Sequence, residues 1–442
     1  MIRHIQTTKD GFYADAAIAK GAVNDDTLTF GEKQQKVEGF GSCFNELCYE
    51  ALKKADPEQR RAYMKELFSP DEMHFTQGRV PIGASDFSCN WYSCDETDGD
   101  YELKDFSIER DKMRTIPFIK EAQEFAGPLH IFGSPWSPPT WMKTKPVYNF
   151  GRLRMEDAIL KTYAQYFVKF VQEYAKEGVN VEQVFPQNEP MADQKFASCL
   201  WYGEDMRRFI GDYLGPAFEE AGMDTEIWMG TVNGPFNDVM MTSSDFEWTE
   251  YYDQFDNTIL SDPKVRKYVK GVGVQWGGKH IVEQIRASYP ELRYKLTESE
   301  CGDGQNTWTS MEYIYRQMWH YFRHGAEAYI YWNIALETDN VSTWGWRQNA
   351  LAIVDPETGN MTRTPEFYLM KHFSAHVQPG AHVLSTFGHL TTNTVAFENP
   401  DGSLVLVIGC AMDKDREYSF TWKGETYSVT LPPHSIHTIV VD

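Results

Sequence analysis

Two glutamates of this sequence stand after apolar, strand-like runs and are the first candidates for chemistry. Glu189 lies in the segment FPQNEP, directly after the run VEQV, and Glu298 lies in the segment LTESE. Pro190 biases Glu189 toward an extended backbone, so we expect this glutamate to be held at the end of a strand. A carboxylate in that position serves acid–base chemistry or caps the next helix, and the motif NEP alone favours the cap.

The middle of the chain predicts the elements that position these side chains. Eight runs have the β-branched and aromatic residues typical of strands, namely KVEGFG, FTQGRVPIG, LHIFGSP, VEQVFPQ, TEIWMG, VKGVGVQW, RYKLTES and AEAYIYWNI. Amphipathic helices lie between several of them, as in residues 156–178, where apolar side chains recur every three or four residues before Gly178. Eight strand–helix units over residues 38–375 predict an α/β fold, a (β/α)8 TIM barrel.

The two termini predict short strands joined by turns. Residues 1–37 and 376–442 contain alternating runs, with turn residues such as Asn399-Pro400-Asp401-Gly402 between them. We expect both ends of the chain to assemble into one β-domain beside the barrel.

The barrel brings the two glutamates into one site, because TIM barrels build their active sites at the C-terminal ends of the strands. Glu189 would follow the fourth strand and Glu298 would end the seventh, so both would face one cavity. Two carboxyl groups there indicate glycoside chemistry. One protonates the leaving oxygen, and the other meets the positive charge that develops at the anomeric carbon. This chemistry requires no metal ion and no cofactor.

The charge of the chain excludes two classes of partner. The sequence has 64 acidic and 42 basic residues, a formal net charge of −22, and no run of Lys and Arg reverses it locally. Nucleic acid and anionic membranes both require basic patches, so we expect neither as a partner. No apolar stretch reaches about 18 residues, so we expect no stable membrane insertion. Aromatic residues form 14% of the chain, which suits a large core or stacking on sugar rings.

The cysteines and the N-terminal segment indicate where in the cell the protein is expected to lie. The seven cysteines are scattered and odd in number, no CxxC pair occurs, and the two C-x4-C pairs have no matching histidine cluster. We therefore expect no metal site. The first 20 residues lack the sustained apolar region of a signal peptide, so we expect a reduced, cytoplasmic protein.

Ten segments, in order along the chain, resemble the motifs of glycoside hydrolase family 30, and specifically its glucosylceramidase-like branch. They are GFGSCFNE, RVPIGASDFS, SPWSPPTWMKT, QNEP, LGPAFEEAG, YVKGVGVQW, LTESE, YWNIAL, HFSAHVQPGA and PPHSIHT. The resemblance implies a retaining β-glycosidase with a side β-sandwich built from both termini. Its domains would be the first sandwich strands (1–37), the catalytic barrel (38–375) and the rest of the sandwich (376–442).

The resemblance also implies roles for the two glutamates. Glu189 matches the acid/base residue and Glu298 matches the nucleophile. Glu300 would point the same way as Glu298, since alternate residues of a strand share a face, so the choice rests on position along the strand.

Five further residues match substrate-binding or supporting positions of the family. Asn188 matches the residue that binds the 2-hydroxyl group, Asp86 and Trp136 match residues at the far edge of the terminal sugar, and Trp332 matches the sugar platform. Arg79 matches an arginine that supports the carboxylates. The alternatives are an ordinary ion pair for Arg79, a turn cap for Asp86 and core packing for the two tryptophans.

The sequence departs from the branch around Trp276. Gln275 and Gly277 stand where the branch more often has His and Tyr. Gln275 can still donate a hydrogen bond in support of the nucleophile, whereas Gly277 should open space near it, which counts against ceramide as the aglycone. Trp344 and Trp346 lie in a polar loop and could line the aglycone side or only cover the barrel rim.

The sequence thus predicts hydrolysis of a terminal β-linked sugar in a small glycoside or oligosaccharide, by double displacement with retention. A β-glucosidase related to glucosylceramidases is the first choice. The alternatives are a β-xylosidase, a β-fucosidase and, less favoured, an endo-β-1,6-glucanase. A non-catalytic carbohydrate-binding protein on the same barrel is the competing class.

Overall fold

The computed structural model describes residues 2–22, 27–234, 250–339 and 341–442. Its strands, in chain order, are β1 (Ile2–Thr8), β2 (Gly11–Asp15), β3 (Ala19–Lys20), β4 (Thr29–Lys36), β5 (Gly39–Cys43), β6 (Gln77–Pro81), β7 (His130–Ser134), β8 (Val181–Val184), β9 (Glu226–Val232), β10 (Val269–Gln275), β11 (Arg293–Glu298), β12 (Ala326–Asn333), β13 (Ala335–Glu337), β14 (Ala352–Val354), β15 (Met361–Arg363), β16 (His382–Phe387), β17 (Thr394–Glu398), β18 (Leu404–Cys410), β19 (Arg416–Trp422), β20 (Glu425–Leu431) and β21 (Ser435–Val441).

The helices, in chain order, are α1 (Glu46–Lys54), α2 (Pro57–Phe68), α3 (Thr115–Ala126), α4 (Asp157–Lys176), α5 (Gly203–Phe209), α6 (Gly215–Glu220), α7 (Asp256–Leu260), α8 (Pro263–Tyr268), α9 (Val282–Ser288), α10 (Trp308–Arg323) and α11 (Pro365–Ser374). A π-helical turn, Ile210–Leu214, joins α5 to α6. In the described part of the chain, no helix combines the length and the apolar composition needed to cross a bilayer.

Strands β5 to β12 form a closed barrel in chain order, with parallel pairing throughout. The barrel closes where β12 pairs with β5, with Tyr329 opposite Phe40. Each of the eight predicted runs contributes one of these strands, so the predicted (β/α)8 barrel is confirmed.

Helix α4 shows how the outer layer attaches to the barrel. The apolar positions that recur in its sequence are all buried, namely Ile159, Tyr163, Phe167, Phe170 and Tyr174. The helix ends just before Gly178, whose φ of 76° suits glycine because it has no Cβ.

The barrel interior is filled by side chains in layers. An apolar cluster occupies part of it, formed by Phe132, Phe185, Trp228, Ala328 and Ile330. Near the N-terminal ends of the strands, buried Lys295 donates to Gln77 Oε1 at 3.0 Å and to Gln183 Oε1 at 2.7 Å. Arg79 lies two residues beyond Gln77 along β6, toward the opposite end. The barrel is therefore a packed core, and chemistry belongs at its C-terminal face.

The side domain combines strands from both ends of the chain, as predicted. Its seven-stranded sheet has the order β2-β1-β21-β18-β17-β16-β4, and a second sheet has the order β19-β20-β3. Leu28 from the N-terminal part packs in one apolar cluster with Leu406, Tyr418 and Phe420 from the C-terminal part. A small sheet, β13-β14-β15, is an addition that the predicted elements do not include.

We expect Gly41→Ala to destabilise the barrel. A Cβ at Gly41 would lie 1.9 Å from the main-chain oxygen of Gln77 in the neighbouring strand, so the two strands would have to separate. Such overpacking costs about 1–3 kcal/mol, and the midpoint of thermal unfolding should fall. Gly11→Ala is the control, because its Cβ would approach nothing closer than 3.9 Å. Equal midpoints for the two variants would contradict this account.

Candidate active site

A cavity of about 210 Å³ lies at the C-terminal ends of the barrel strands. Five residues singled out from the sequence line it, namely Asp86, Trp136, Asn188, Glu189 and Glu298. The other three, Arg79, Gln275 and Trp332, are outside its lining and are buried. The structure therefore places all eight at one end of the barrel, five on the cavity surface and three behind it.

Glu298 is held through one of its two oxygens. The guanidinium of Arg79 donates to Glu298 Oε2, and Gln275 Nε2 donates to the same oxygen at 3.2 Å. No described residue donates to Oε1 of Glu298, and that oxygen is free to act as a nucleophile. Glu300 also lines the cavity, but neither of these donors contacts it.

Arg79 is buried, and its guanidinium packs beside a pair of indole rings whose centres are 5.4 Å apart. Its guanidinium carbon lies 4.6 Å from the centre of the Trp136 ring and 5.5 Å from that of Trp332. It also donates to Ser134 Oγ at 2.9 Å and to Asn188 Oδ1 at 2.6 Å. Trp332 thus supports the arginine, and its indole nitrogen has no hydrogen-bond partner among the described residues. Its predicted role as a sugar platform stays a prediction.

The side-chain amide of Asn188 has a fixed orientation. Its Oδ1 accepts from Arg79 Nη2 and from Gln275 Nε2, both at 2.6 Å. Both partners are donors, so Oδ1 must face them, and Nδ2 is the atom left for a bound hydroxyl group. This geometry is compatible with the predicted contact to a sugar hydroxyl.

Glu189 departs from the backbone conformation expected from its sequence. The expected extended conformation is wrong, because Glu189 has a φ of +45°. Its N–H donates to Thr231 O at 3.0 Å, and its carbonyl oxygen accepts from Ala192 N at 2.8 Å in the turn that contains Pro190. These hydrogen bonds outweigh the local preference and hold a strained residue, as often occurs at functional sites.

Glu189 and Glu298 have different pKa values because their surroundings differ. Burial raises the pKa of Glu189 to about 8, and the nearby charges of Glu298 and Asp86 add to the rise. Burial also raises the pKa of Glu298, but the adjacent Arg79 guanidinium opposes that rise. Glu298 therefore ionises first, and Glu189 keeps its proton near neutral pH.

Asp86 is a third acidic group of the cavity. Burial and the charge of Glu298 raise its pKa to about 8, whereas main-chain N–H groups and Arg79 oppose the rise. Near neutral pH it therefore holds a proton and can donate to a sugar hydroxyl as well as accept from one.

The site also contains residues that its sequence motifs did not predict. Asn233 directly follows β9, and it fills the space beside Gly277 that was expected to be open. Its position after a barrel strand is the same signal that identified Glu189. Trp346 lines the cavity, whereas Trp344 does not and instead stacks on Trp91 with ring centres 4.8 Å apart.

Comparison with known proteins agrees with this geometry. The model of the glycosyl hydrolase family 30 TIM-barrel domain matches residues 37–377, and that of the family 30 beta sandwich domain matches residues 383–439. Lysosomal acid glucosylceramidase of Mus musculus is 29% identical, over 93% of this chain and 82% of that protein. Endo-1,6-beta-D-glucanase neg1 of Aspergillus fumigatus is 27% identical, over 94% and 87%.

A solved structure shows the same fold over the whole chain. SrfJ from Salmonella typhimurium superposes with a TM-score of 0.87 and 24% identity, covering 100% of this chain and 99% of that one. The family models together span the barrel and the sandwich, and the two glutamates line one cavity at the C-terminal face of the barrel. The chain belongs to glycosyl hydrolase family 30 and is a retaining glycoside hydrolase.

Proposed function

We propose that this enzyme releases a terminal β-linked glucose from a small glycoside or oligosaccharide. The observation that carries the proposal is the asymmetric pair of carboxyl groups: Glu298 is bonded to a buried guanidinium, and Glu189 is protonated near neutral pH. Glucose is favoured over xylose and fucose because the names of relatives from two branches, a glucosylceramidase and an endo-1,6-beta-D-glucanase, both refer to glucose.

The proposed catalytic cycle follows from the different surroundings of Glu189 and Glu298. Glu298 Oε1 attacks the anomeric carbon while Glu189 protonates the departing oxygen, which gives a covalent glycosyl-enzyme. Glu189, now a carboxylate, then takes a proton from water, and the water displaces Glu298 from the same face that the leaving group occupied. Asn188 Nδ2 is placed to donate to a sugar hydroxyl during both steps.

The size of the cavity supports action on a chain end. Its volume of about 210 Å³ is below the roughly 300–1,000 Å³ typical of sites for drug-sized ligands. It suits one sugar ring, with the aglycone at the mouth. There Trp346, which is 39% exposed, is accompanied by the amides of Gln194 and Gln348. An aromatic ring with amides suits a second sugar better than the two alkyl chains of ceramide.

An endo-acting β-1,6-glucanase is the second candidate. The observation in its favour is the aromatic rim, where Trp91 is 37% exposed and stacks on Trp344. Such a surface could bind further sugar units of a polymer outside the cavity.

We further propose a cytoplasmic location. All seven cysteines lie in the described ranges and are free thiols, six of them buried. Reduced thiols are typical of the cytosol. Immunodetection after cell fractionation tests this location, and recovery from an oxidising compartment would contradict it.

We expect azide to distinguish the roles of the two glutamates. Glu298→Ala should lose nearly all activity on 2,4-dinitrophenyl β-glucoside, and azide should restore it as the α-glucosyl azide, because the anion occupies the space of the missing carboxylate. Glu189→Ala should still form the glycosyl-enzyme from this substrate and yield the β-glucosyl azide. On poor leaving groups it should lose about 10²–10⁴-fold in rate. The product anomers are assigned by NMR.

Glu300→Ala is the matched control for the nucleophile assignment. It removes a carboxylate from the same strand end and should retain substantial activity, because Arg79 and Gln275 contact Glu298 instead. An inactive Glu300→Ala rescued as the α-azide, together with an active Glu298→Ala, would transfer the nucleophile to Glu300.

We expect kcat/KM for 4-nitrophenyl β-glucoside to fall as the pH rises through about 8. The pKa of Glu189 is raised to about 8, and only its protonated form donates to the leaving group. Activity is therefore present below that pKa and lost above it. In Glu189→Ala, assayed with the 2,4-dinitrophenyl substrate, this basic limb should be absent. A basic limb that persists in the variant would assign it to another group.

We expect the glucoside to give the highest kcat/KM in a panel of 4-nitrophenyl β-glucoside, β-xyloside, β-fucoside and β-galactoside. A preference for another sugar would overturn the choice of glucose and leave the retaining mechanism intact. A β-1,6-glucan should release glucose alone if the enzyme acts on chain ends. Early release of longer oligosaccharides would instead support the endo-acting candidate.

A further inference from the structure

Asn233 connects the acid/base glutamate to the main chain beyond β10. Its Nδ2 donates to Glu189 Oε1 at 3.2 Å, and its Oδ1 accepts from Gly277 N at 2.5 Å. The asparagine follows the last residue of β9 and lines the cavity. It is therefore bonded at both ends of its side chain, once to the backbone and once to a group that transfers a proton.

The backbone contact determines which way the amide faces. A main-chain N–H can only donate, so the atom of Asn233 that faces Gly277 must be the oxygen. The NH₂ group is then the atom that faces Glu189. Asn233 can only donate to Glu189 in this arrangement, whatever the protonation state of the glutamate.

Gly277 makes this arrangement possible. A Cβ at position 277 would lie 2.2 Å from Asn233 Oδ1 and 2.6 Å from the main-chain oxygen of Asn233. Any larger residue would force Asn233 away from its present place. The glycine therefore does not leave the site open, because the asparagine occupies the space.

We infer that Asn233 is the positioning residue of the acid/base glutamate, holding it by Oε1 so that Oε2 carries the proton to and from the leaving group. An oxygen that accepts from an amide is the carbonyl oxygen of a protonated carboxyl group, and the other oxygen holds the proton. Asn233 thus selects the proton-bearing oxygen before substrate binds. This inference rests on the proposed role of Glu189 and is independent of which sugar is bound.

The neutral character of the donor matters for this role. The ionisable groups that act on Glu189 are Glu298, Asp86 and Arg79, and the Asn233 hydrogen bond lowers its pKa against the effect of burial. Glu298 is bonded to a guanidinium, which favours the ionised form that a nucleophile needs. A neutral amide can hold Glu189 in both protonation states, as a residue that is an acid and then a base requires.

The direct test measures the pKa of Glu189 without any substrate. Enzyme labelled with ¹³C at the glutamate side-chain carboxyl is titrated by NMR, and Glu189→Gln assigns the resonance. Asn233→Ala should raise the pKa by about one unit, as expected for loss of one hydrogen bond to a carboxylate. Asn233→Asp keeps the shape of the side chain and should raise it further, because a carboxylate replaces the donor.

Two further variants control the titration. Gly277→Ala should also raise the pKa of Glu189, because the added Cβ displaces Asn233. Asn180→Ala, at an exposed position just before β8 and at the opposite end of the barrel, should leave it unchanged. A pKa that is the same in wild type, Asn233→Ala and Asn233→Asp would overturn the inference, whichever sugar the enzyme accepts.

Kinetic measurements then distinguish a role of Asn233 in positioning Glu189 from a role in maintaining the fold of the site. With the sugar that the wild type prefers, Asn233→Ala should lose about tenfold or more in kcat/KM on a methyl glycoside, part of the 10²–10⁴-fold that acid catalysis provides. The loss should be much smaller on a 2,4-dinitrophenyl glycoside, whose leaving group needs no proton. Equal losses on both substrates would mean that Asn233 only maintains the fold of the site.

Discussion

The ion pair between the buried guanidinium of Arg79 and Glu298 is the interaction on which the active site depends. The guanidinium is fully buried beside the indole rings of Trp136 and Trp332, and it has Glu298 and Asn188 as hydrogen-bond partners. An unpaired charge in that position would be very costly, so the arginine requires one ionised carboxylate beside it. Glu298 meets that requirement. The same contact holds Oε2 of Glu298, the proposed nucleophile, and leaves Oε1 to react.

The remaining acidic groups respond to this one ion pair. Glu189 and Asp86 are buried in the same cavity, and the charge of the ionised Glu298 adds to the effect of burial, so both keep their protons to higher pH. The proposed acid and the proposed nucleophile are therefore the same kind of side chain, and they differ because Arg79 contacts Glu298. Asn188 and Gln275 extend the same network, and each has its amide orientation set by the groups it bonds.

Features that depend on local sequence patterns, such as the barrel strands, were predictable from the sequence. Features that depend on contacts between residues far apart in the chain were not. The eight barrel strands were predicted from short apolar runs and turn residues. Because active sites of TIM barrels lie at the C-terminal ends of the strands, Glu189 and Glu298 were predicted to share one site. The φ of Glu189 was not predictable from Pro190, because hydrogen bonds to Thr231 and Ala192 outweigh that local preference. The contact of Asn233 with Glu189 joins residues on neighbouring strand ends and has no signature in either segment alone.

In the proposed catalytic cycle, the change of Glu189 from acid to base follows from the same electrostatics. While Glu298 is a free carboxylate, its charge raises the pKa of Glu189 and keeps the proton there for the leaving group. Attack on the sugar converts Glu298 to an ester and removes that charge. Arg79 and the amide of Asn233 remain, and both lower the pKa of Glu189. Glu189 is therefore a stronger acid in the intermediate than in the free enzyme, and it stays ionised until it takes a proton from the attacking water. In the proposed reaction, formation of the intermediate thus converts Glu189 from an acid into a base.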